Sequence, residues 1–293
     1  MERIIHSNEH IFICDKQNAS QIKTLIFEKK ELQIYAGQDM VQIGELPNGD
    51  KWMVVADGHG IDKVINALRI VDWSIILSQK NPEDNIFPVI ELLGNTYGSG
   101  STLSLVRINS NSIECMWIGN STIQIYEDDI NIFHSISHNA KNDEEIKRLE
   151  TLDCHENVID YKILNKYELI NEFEITMTEI KYINFGDNYK KDFICMTNSL
   201  GHNQRTGKYI QKQVIPLLSN KQYCVTVASD GIWDMLVPND YKFISTIPLN
   251  QIIDIVEHRW NKQWTLIGTR YEKSLHRFQT GDDICIAIWK GCI

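Results

Sequence analysis

Strand-like segments and helical patterns follow one another in groups along this chain rather than in strict alternation. Strict alternation is typical of a doubly wound parallel sheet, whereas grouping favours antiparallel sheets with helices packed on them, so we predict an α+β fold. Residues 101–127 in particular read as a three-strand antiparallel meander with turns at 109–112 and 119–121. Predicted strands cover 11–14, 23–28, 52–56, 101–108, 112–118, 121–126, 172–184, 192–196, 222–228 and 284–289, and predicted helices cover 62–79, 83–95, 141–150, 239–245 and 249–262.

The whole chain, 1–293, is predicted to form a single domain. It has 293 residues, 43% of them hydrophobic, which is enough to bury a large core. No Pro-rich, Gly/Ser-rich or single-sign charged block interrupts it, and no internal repeat is visible, so nothing marks a linker. The segment around 153–190 is polar and weakly patterned, and we predict that it forms an excursion, or flap, over the core.

Charge and cysteine content argue against several classes of protein. A net charge of −10 does not suit a general nucleic-acid binder, because phosphate contacts require a clustered basic surface, but it suits a site that collects divalent cations. The seven cysteines are odd in number and never spaced Cys-x-x-Cys, which argues against a disulfide framework and a zinc site. No apolar stretch approaches the ~20 residues of a membrane span, and "MERIIHSNEH" has no signal-peptide core. We expect a soluble monomer of a reducing, cytoplasmic compartment, with neither nucleic acid nor membrane as partner.

The stretch "WMVVADGHG" (52–60) places an acid and an imidazole at the end of an apolar run. Its strand formers predict a buried strand that ends at Asp57, followed by a glycine turn and by a helix capped by Asp62. Such a turn would bring backbone N–H groups and the positive end of a helix dipole near Asp57, which suits a phosphate or another anion. Taken alone, an Asp-Gly pair is more often an ordinary turn.

Acidic residues recur at the ends of three further predicted strands. The segment "YCVTVASDGIWDML" (223–236) repeats the order of strand, Asp-Gly and helical turn, and acids also flank the strands in "TGDDICIAIW" (280–289) and "IYAGQDMVQIG" (34–44). Each acid alone reads as a solvated turn residue. Clustered carboxylates, however, repel one another unless cations neutralise them, and oxygen-only ligands select Mg²⁺ or Mn²⁺. The candidates are Asp39, Asp57, Asp230, Asp234, Asp282 and Asp283.

Five segments carry a resemblance to a known family. In order along the chain they read "VVADGHG", "GSGSTLSLVRI", "WIGNSTIQIY", "ASDGIWDML" and "GDDICIAI". This order resembles the signature segments of the metal-dependent Ser/Thr protein phosphatases, the type 2C or PPM family, over roughly residues 30 to 290. The resemblance implies a four-layer α-β-β-α sandwich of two antiparallel sheets flanked by helices. It also implies two Mg²⁺ or Mn²⁺ ions in a cleft at one end of the sandwich, and a phosphoprotein substrate hydrolysed by a metal-activated water.

The resemblance assigns roles to individual residues of this chain. Asp57 would bridge both metal ions, with the Gly58 carbonyl on one of them. Asp230 and Asp282 would complete the coordination of the other ion. Two acids, Asp39 and Asp234, fall where the family holds metal-bound waters, and His59 falls where the family has a histidine suspected of protonating the leaving group.

The chain departs from the family pattern at auxiliary positions. Gln38 stands before Asp39 where the family has a metal-bound glutamate, and an amide oxygen can ligate without contributing charge. Ile34 occupies the place of an arginine that grips the substrate phosphate, so a bidentate clamp is missing there. Asn120 replaces an acid tied to a third, weaker metal. The segment "MTNSLGH" (196–202) and Asp283, where Asn is usual, are lesser departures.

Two functions from different classes remain open. The chain is either an active protein Ser/Thr phosphatase or a weak or inactive relative that keeps the fold as a binding module. Retention of Asp57, Asp230 and Asp282 together with His59 favours the enzyme, because a scaffold has no need for costly clustered acids. Another type of metal-dependent phosphoester hydrolase is the remaining alternative.

Overall fold

A computed structural model describes residues 2–7, 10–16, 22–27, 31–152, 161–184, 193–241, 243–268, 271–278 and 281–292. Strands make up most of the regular structure in these ranges. They are β1 (Glu2–Ser7), β2 (His10–Lys16), β3 (Ile22–Phe27), β4 (Glu31–Ala36), β5 (Asp39–Glu45), β6 (Lys51–Gly60), β7 (Ser99–Ser101), β8 (Leu103–Ile108), β9 (Ser112–Ile118), β10 (Thr122–Glu127), β11 (Ile130–His134), β12 (Tyr161–Leu169), β13 (Glu174–Asn184), β14 (Phe193–Ile194), β15 (Leu200–Gly201), β16 (Gln211–Pro216), β17 (Gln222–Ala228), β18 (Trp264–Ile267), β19 (Lys273–His276) and β20 (Asp283–Cys292).

The helices are short and occur in groups. The predicted helix over 62–79 is two helices, because the Asp72 carboxylate accepts a hydrogen bond from the Ile75 N–H at 3.1 Å and caps a new one. The described helices are α1 (Lys63–Arg69), α2 (Trp73–Leu77), α3 (Ile86–Glu91), α4 (Asp143–Glu150), α5 (Asp230–Trp233), α6 (Pro238–Tyr241) and α7 (Leu249–Asn261), with 3₁₀ turns at Pro82–Asn85 and His202–Gln204.

Two large antiparallel sheets form the centre of the described structure. One has the strand order β16-β9-β8-β6-β5-β4-β3, with β7 and β15 attached beside β6. The other has the order β1-β2-β20-β17-β10-β11. A smaller sheet, β12-β13-β18-β19 with β14 on β13, contains the parallel pair of β13 with β18.

Side-chain alternation along the strands builds the layers. In β6, Met53 and Val55 belong to the core between the two large sheets, whereas Val54 and Ala56 belong to a second core under α1, α2 and α3. Successive side chains of a strand point to opposite faces, so one strand serves both cores. The other face of β17 and β20 packs against α5, α6 and α7. The α+β prediction and its four layers, helix-sheet-sheet-helix, are confirmed.

The strand β6 runs further than predicted. Asp57 to Gly60 do not form a turn, because β7 supplies a pairing partner for each of the last three residues of β6. The paired Cα positions are Gly58 with Ser101, His59 with Gly100 and Gly60 with Ser99. The Asp-Gly-His-Gly motif is therefore held in an extended ladder, and α1 begins only at Lys63.

The predicted meander over 101–127 is also corrected. Strands β8 and β9 pair within the nine-stranded sheet, but β10 pairs with β17 and β11 in the other sheet. The chain crosses between the sheets at Gly119, whose φ is +96° and where a Cβ would lie 2.6 Å from Thr102 Cγ2. Only glycine fits this close, left-handed crossing.

The predicted flap region contains a long hairpin. Strands β12 and β13 pair over nine positions from Tyr161↔Ile183 to Leu169↔Ile175. The pairing of β13 with β18 and β14 joins the hairpin to other elements. The remainder of the predicted flap, 153–160 and 185–190, lies outside the described residues.

Candidate functional site

The inner rows of both large sheets end in polar side chains at the same end of the sandwich. In β5 and β6 the row that faces the central core continues to Asp39 and Asp57. In β17 and β20 the corresponding rows continue to Ser229, just past the strand, and to Asp283. Strand alternation thus brings carboxyl groups from distant segments together. We call Asp39, Asp57, Asp230, Asp234, Asp282 and Asp283 the acid cluster.

Asp39 and Asp57 are directly opposite each other on adjacent antiparallel strands. Like charges in such a cross-strand pair destabilise a sheet. Hydrogen bonds hold the pair in place: Ser229 Oγ donates to Asp39 Oδ2 at 2.8 Å, and the Asp57 N–H donates to Thr102 Oγ1 at 3.0 Å. The Asp39 carboxyl is fully buried, with 1% of the residue exposed. The ladder therefore fixes an electrostatically unfavourable arrangement.

The carboxyl groups of the acid cluster act on one another. Burial, and after it the carboxylates of Asp283 and Asp282, raise the pKa of Asp39 well above its usual value. Burial, and then Asp230 and Asp39, do the same to the pKa of Asp57. Burial and then Asp230 raise the pKa of Asp282 to about 7. Each of these groups is stabilised by a proton or by a nearby cation.

The chemistry of the donor set fits hard divalent cations. Its candidate ligands are all oxygens, which Mg²⁺ and Mn²⁺ prefer, and their mutual repulsion is relieved by positive charge. Within the described residues no three His, Cys, Asp or Glu side chains converge tightly enough to hold one ion together. After burial, the Asp230 carboxylate nevertheless has the largest effect on the pKa of Asp57. The acids are thus close enough for strong electrostatic coupling, which is the property that attracts a cation.

Asp230 begins α5, with Ser229 as the N-cap residue. Asn120, from the crossing between the sheets, donates a hydrogen bond from Nδ2 to Asp230 Oδ2 at 2.9 Å. The Asn120 Oδ1 atom is buried and makes no hydrogen bond to the described residues. A neutral donor therefore stands beside Asp230 where the family pattern has an acid.

The Gln38 side chain is directed toward the end of β6 and the residues just after it. Its Nε2 donates to the Gly60 carbonyl at 2.8 Å and to Asp62 Oδ1 at 2.5 Å. Its backbone N–H donates to Asp283 Oδ2 at 3.0 Å, and its carbonyl accepts from the Gly58 N–H at 2.8 Å. Asp62 is the N-cap of α1 as predicted but makes no side-chain capping bond. Metal coordination by Gln38 stays a prediction.

The His59 ring is held on both sides. His59 Nε2 lies 2.9 Å from Ser199 Oγ, and His59 Nδ1 lies 3.1 Å from His202 Nε2, with the two imidazoles stacked at 4.8 Å between centroids. A Cβ at Gly100 would lie 2.2 Å from His59 Cε1, so glycine is needed beneath the ring. Burial, and then His202, lower the pKa of His59 to about 3. His59 is therefore neutral at pH 7, and its role toward the leaving group stays a prediction.

His202 belongs to a short segment in a left-handed conformation. The φ angles are 47° at His202, 53° at Asn203 and 58° at Gln204, which non-glycine residues seldom adopt in succession. Two hydrogen bonds hold the segment: Thr96 N–H to Asn203 Oδ1 at 2.7 Å, and Asn203 N–H to Thr96 Oγ1 at 2.9 Å. This strained turn places the histidine of "MTNSLGH" against His59.

Asp234, just past α5, has a partner that sequence reasoning missed. Lys166 Nζ, from β12, lies 2.5 Å from Asp234 Oδ2. Burial and then Asp230 raise the pKa of Asp234, to about 6, although Lys166 lowers it. Burial opposes the charge of Lys166, but Asp234 and then Asp230 outweigh it, so the pKa of Lys166 is raised. A lysine in a weakly patterned segment carries no local signal of this contact.

Ser199, His202 and Ser229 were also missed: they lie in the segments "MTNSLGH" and "ASDGIWDML", but no chemical role was assigned to them there. Ile34, which stands where the family pattern has a phosphate-gripping arginine, lies on β4, and its side chain lies outside the described part of the structure. Each predicted acid, by contrast, lies in the acid cluster or contacts it.

No family model and no curated protein matches the chain. Solved structures do match it. The serine-threonine phosphatase 2C from Toxoplasma gondii aligns with 96% of this chain and 99% of its own, at a TM-score of 0.53 and 12% identity. This chain has the type 2C phosphatase fold. The serine/threonine phosphatase of S. agalactiae, at 17% identity and a TM-score of 0.53, aligns over 93% of this chain and 99% of its own.

The chain also aligns with a solved structure that is not described as a phosphatase. A C. elegans sex determining protein aligns at a TM-score of 0.52 and 14% identity over 94% of this chain, which spans 66% of that protein. Identities this low show a shared fold, and the function has to be argued from the site itself. None of the described helices combines the length and the apolar character needed to cross a membrane.

Proposed function

We propose that this chain is a metal-dependent protein Ser/Thr phosphatase that hydrolyses phosphoserine and phosphothreonine side chains. The acid cluster carries the proposal. Carboxyl groups from β5, β6, α5 and the start of β20 meet at one end of the sandwich, and burial, together with their mutual repulsion, raises the pKa of Asp39 and Asp57. An arrangement that opposes folding unless it is neutralised points to a cation-binding role.

The chain's own residues would divide the work in the cleft. Asp57, the Gly58 carbonyl, Asp230 and Asp282 would hold two Mg²⁺ or Mn²⁺ ions. When bound, these ions supply charge stabilisation to the entering and leaving oxygens of an in-line displacement at phosphorus. The carboxyls of Asp39 and Asp234 would orient water by accepting its hydrogen bonds, and Ser229 keeps Asp39 in position.

The proposed reaction needs no covalent phosphoenzyme. Water attacks phosphorus, the ester P–O bond breaks, and the departing Ser or Thr oxygen takes up a proton. We propose His59 as the donor of that proton, which requires the negative charge of the bound phosphate to raise the lowered pKa of His59; Ser199 and His202 set its ring orientation. General acid assistance of this kind is typically worth ~10²–10⁴-fold in rate.

A second candidate is a binding module of the same fold with weak or no activity. Two contacts favour it: the Gln38 amide nitrogen is bonded to Gly60 and Asp62, and the Lys166 ammonium is bonded to Asp234. In both contacts, a polar group of the cleft that could serve a metal ion or its water is already hydrogen-bonded to protein atoms. Activity measurements separate the two candidates.

The test is hydrolysis of an aryl phosphate and of a phosphothreonine peptide by the purified protein, with Mn²⁺, Mg²⁺ or chelator. Asp57→Asn removes a charge from the acid cluster, and Asp50→Asn removes one from the turn between β5 and β6, at the far end of the same strands. We expect metal-dependent activity in the wild type and in Asp50→Asn but none in Asp57→Asn. Activity that persists in metal-stripped protein would contradict the metal-dependent mechanism. Absence of activity under every condition would favour the binding module.

A further inference from the structure

Lys166 is brought to the acid cluster by a hairpin with its own anchors. Lys166 lies on β12 opposite Thr178 of β13. The start of β13, which includes the fully buried Ile175, pairs with β18. Next to Lys166, the Tyr167 ring packs on His276 of β19 with 4.0 Å between centroids. Packing that does not involve the acids therefore places the Lys166 backbone near the cluster, and the contact with Asp234 adds a further anchor to β12.

The ammonium group reaches the cluster at one carboxylate. Lys166 Nζ lies 2.5 Å from Asp234 Oδ2, and Asp230, at the other end of the single turn of α5, is within its electrostatic reach. The Lys166 side chain is 35% exposed and that of Asp234 is 27% exposed. A charge-assisted contact of this length places a unit positive charge at the Asp234 carboxylate, where a metal ion or its bound water would otherwise interact. Partial exposure leaves the side chain room to withdraw.

The neighbouring charged residue on β12, Glu168, is paired with a residue outside the acid cluster. Glu168 is paired with Lys141, whose Nζ lies 2.8 Å from Glu168 Oε1. The hairpin thus directs a lysine, and not an acid, at the cluster. Two cations that compete for one carboxylate repel each other, and the divalent ion carries twice the charge of the ammonium.

We propose that Lys166 is a tethered cation of the acid cluster, which competes for Asp234 with the bound water of a divalent metal ion. A bound ion whose water hydrogen-bonds to Asp234 displaces the ammonium, and the docked ammonium weakens binding of the ion. Hairpin docking and metal loading therefore oppose each other. The inference rests on the metal site of the proposed function but not on catalysis.

Calorimetric titration with Mn²⁺ tests the competition. Lys166→Gln removes the tethered charge, Lys166→Arg retains it, and Lys273→Gln removes a charge from the ion pair with Glu174 on the other strand of the hairpin, 3.0 Å apart. We expect Lys166→Gln to bind Mn²⁺ roughly tenfold more tightly than wild type, since one charge acts on a divalent ion at close range. Lys166→Arg and Lys273→Gln should stay within about twofold of wild type.

Hydrogen exchange of the wild-type protein is the second measurement, and it does not depend on any variant folding. We expect saturating Mn²⁺ to speed amide exchange in β12, because the link to Asp234 is lost. Unchanged exchange in β12, or equal Mn²⁺ affinity in wild type, Lys166→Gln and Lys273→Gln, overturns the inference while leaving the proposed phosphatase intact. Tightening in Lys166→Arg equal to that in Lys166→Gln overturns it as well.

Two further outcomes separate this inference from the proposed function. Binding of Mn²⁺ by Lys166→Gln but not by wild type supports the tethered cation and counts against a metal-loaded wild-type phosphatase. Absence of binding in both proteins overturns both proposals.

Discussion

The two sides of the acid cluster are built differently. On one side, Asp39 and Asp57 are part of β5 and β6, opposite each other in a ladder, with Asp39 buried and hydrogen-bonded by Ser229. On the other side, Asp234 follows a single helical turn and meets a lysine from a hairpin, and both side chains are partly exposed. The sheet side cannot separate its charges without breaking strand pairing, whereas the hairpin side neutralises its charge with a movable side chain.

The repulsion between the acids therefore has a different origin on the two sides. Repulsion between Asp39 and Asp57 is imposed by backbone hydrogen bonds, so the fold itself holds it in place. Repulsion at Asp234 is already reduced by Lys166. Substitutions on the sheet side should therefore change metal binding and activity strongly, and substitutions on the hairpin side should change them less.

The largest effect is expected for Asp57→Asn. Turnover should be lost, because the group that would bridge both ions is gone, and the protein should stay folded. In chelator its unfolding free energy should rise by ~0.2–1 kcal/mol, since a cross-strand repulsion is relieved. Phosphatase assays and urea unfolding at neutral pH measure both quantities. A less stable Asp57→Asn protein would contradict the repulsion that we assign to this pair.

Thermal unfolding with Mn²⁺ compares the two sides directly. A ligand that binds only the folded state stabilises it by about 2.7 kcal/mol at a hundred times its Kd. We expect Mn²⁺ to raise the melting temperature of wild type and to raise that of Asp57→Asn much less. The rise for Asp234→Asn should be most of the wild-type rise. Equal losses in the two variants would erase the distinction between sheet side and hairpin side.

Ser229→Ala probes the support of Asp39. The change removes the hydrogen bond to Asp39 Oδ2 and the one that Ser229 Oγ accepts from the Cys285 N–H at 3.2 Å. Leaving these buried groups without partners should cost ~1–3 kcal/mol of unfolding free energy. The matched control is Glu168→Gln, which breaks the exposed pair with Lys141 and should cost at most ~1 kcal/mol. Chemical denaturation of both variants gives the comparison, and equal costs would show that Ser229 is not a support.

The smallest effect is expected for Gln38→Glu. A carboxylate at position 38 would lose the donor contacts to Gly60 and Asp62 and would face the Asp62 carboxyl, so melting in chelator should occur at a lower temperature. If position 38 faces the metal ions, less Mn²⁺ should half-saturate activity, because a charge has been added near a divalent cation. Loss of stability without any change in Mn²⁺ dependence would place residue 38 outside the metal shell.

Much of the fold followed from local patterns. Alternation of apolar residues indicated the strands, and their grouping with helices indicated the α+β class, because both depend on neighbours within a few residues. The acids at strand ends were likewise visible, and the structure brings them together. The resemblance to the type 2C phosphatases supplied the four-layer arrangement, which local patterns alone left open.

The errors arose where a distant segment decides the local conformation. Asp57–Gly60 looked like a turn, but pairing with β7 keeps them extended. The turn at 119–121 looked like a hairpin, but the chain crosses there to the opposite sheet. Local sequence does not indicate which strand will pair with a given strand, because the hydrogen bonds of the ladder join residues that are far apart along the chain.

Local sequence was enough to predict buried strands with acids at their ends, among them Asp39 and Asp57, because runs of strand-forming apolar residues are a local signal. Tertiary packing set the remaining contacts: these two acids stand opposite each other, Asn120 hydrogen-bonds to Asp230, His202 stacks on His59 and Lys166 reaches Asp234. The physical reason is that such contacts depend on strand register, sheet crossing and hairpin docking, which are set by the free energy of the whole packed chain and leave no local periodicity.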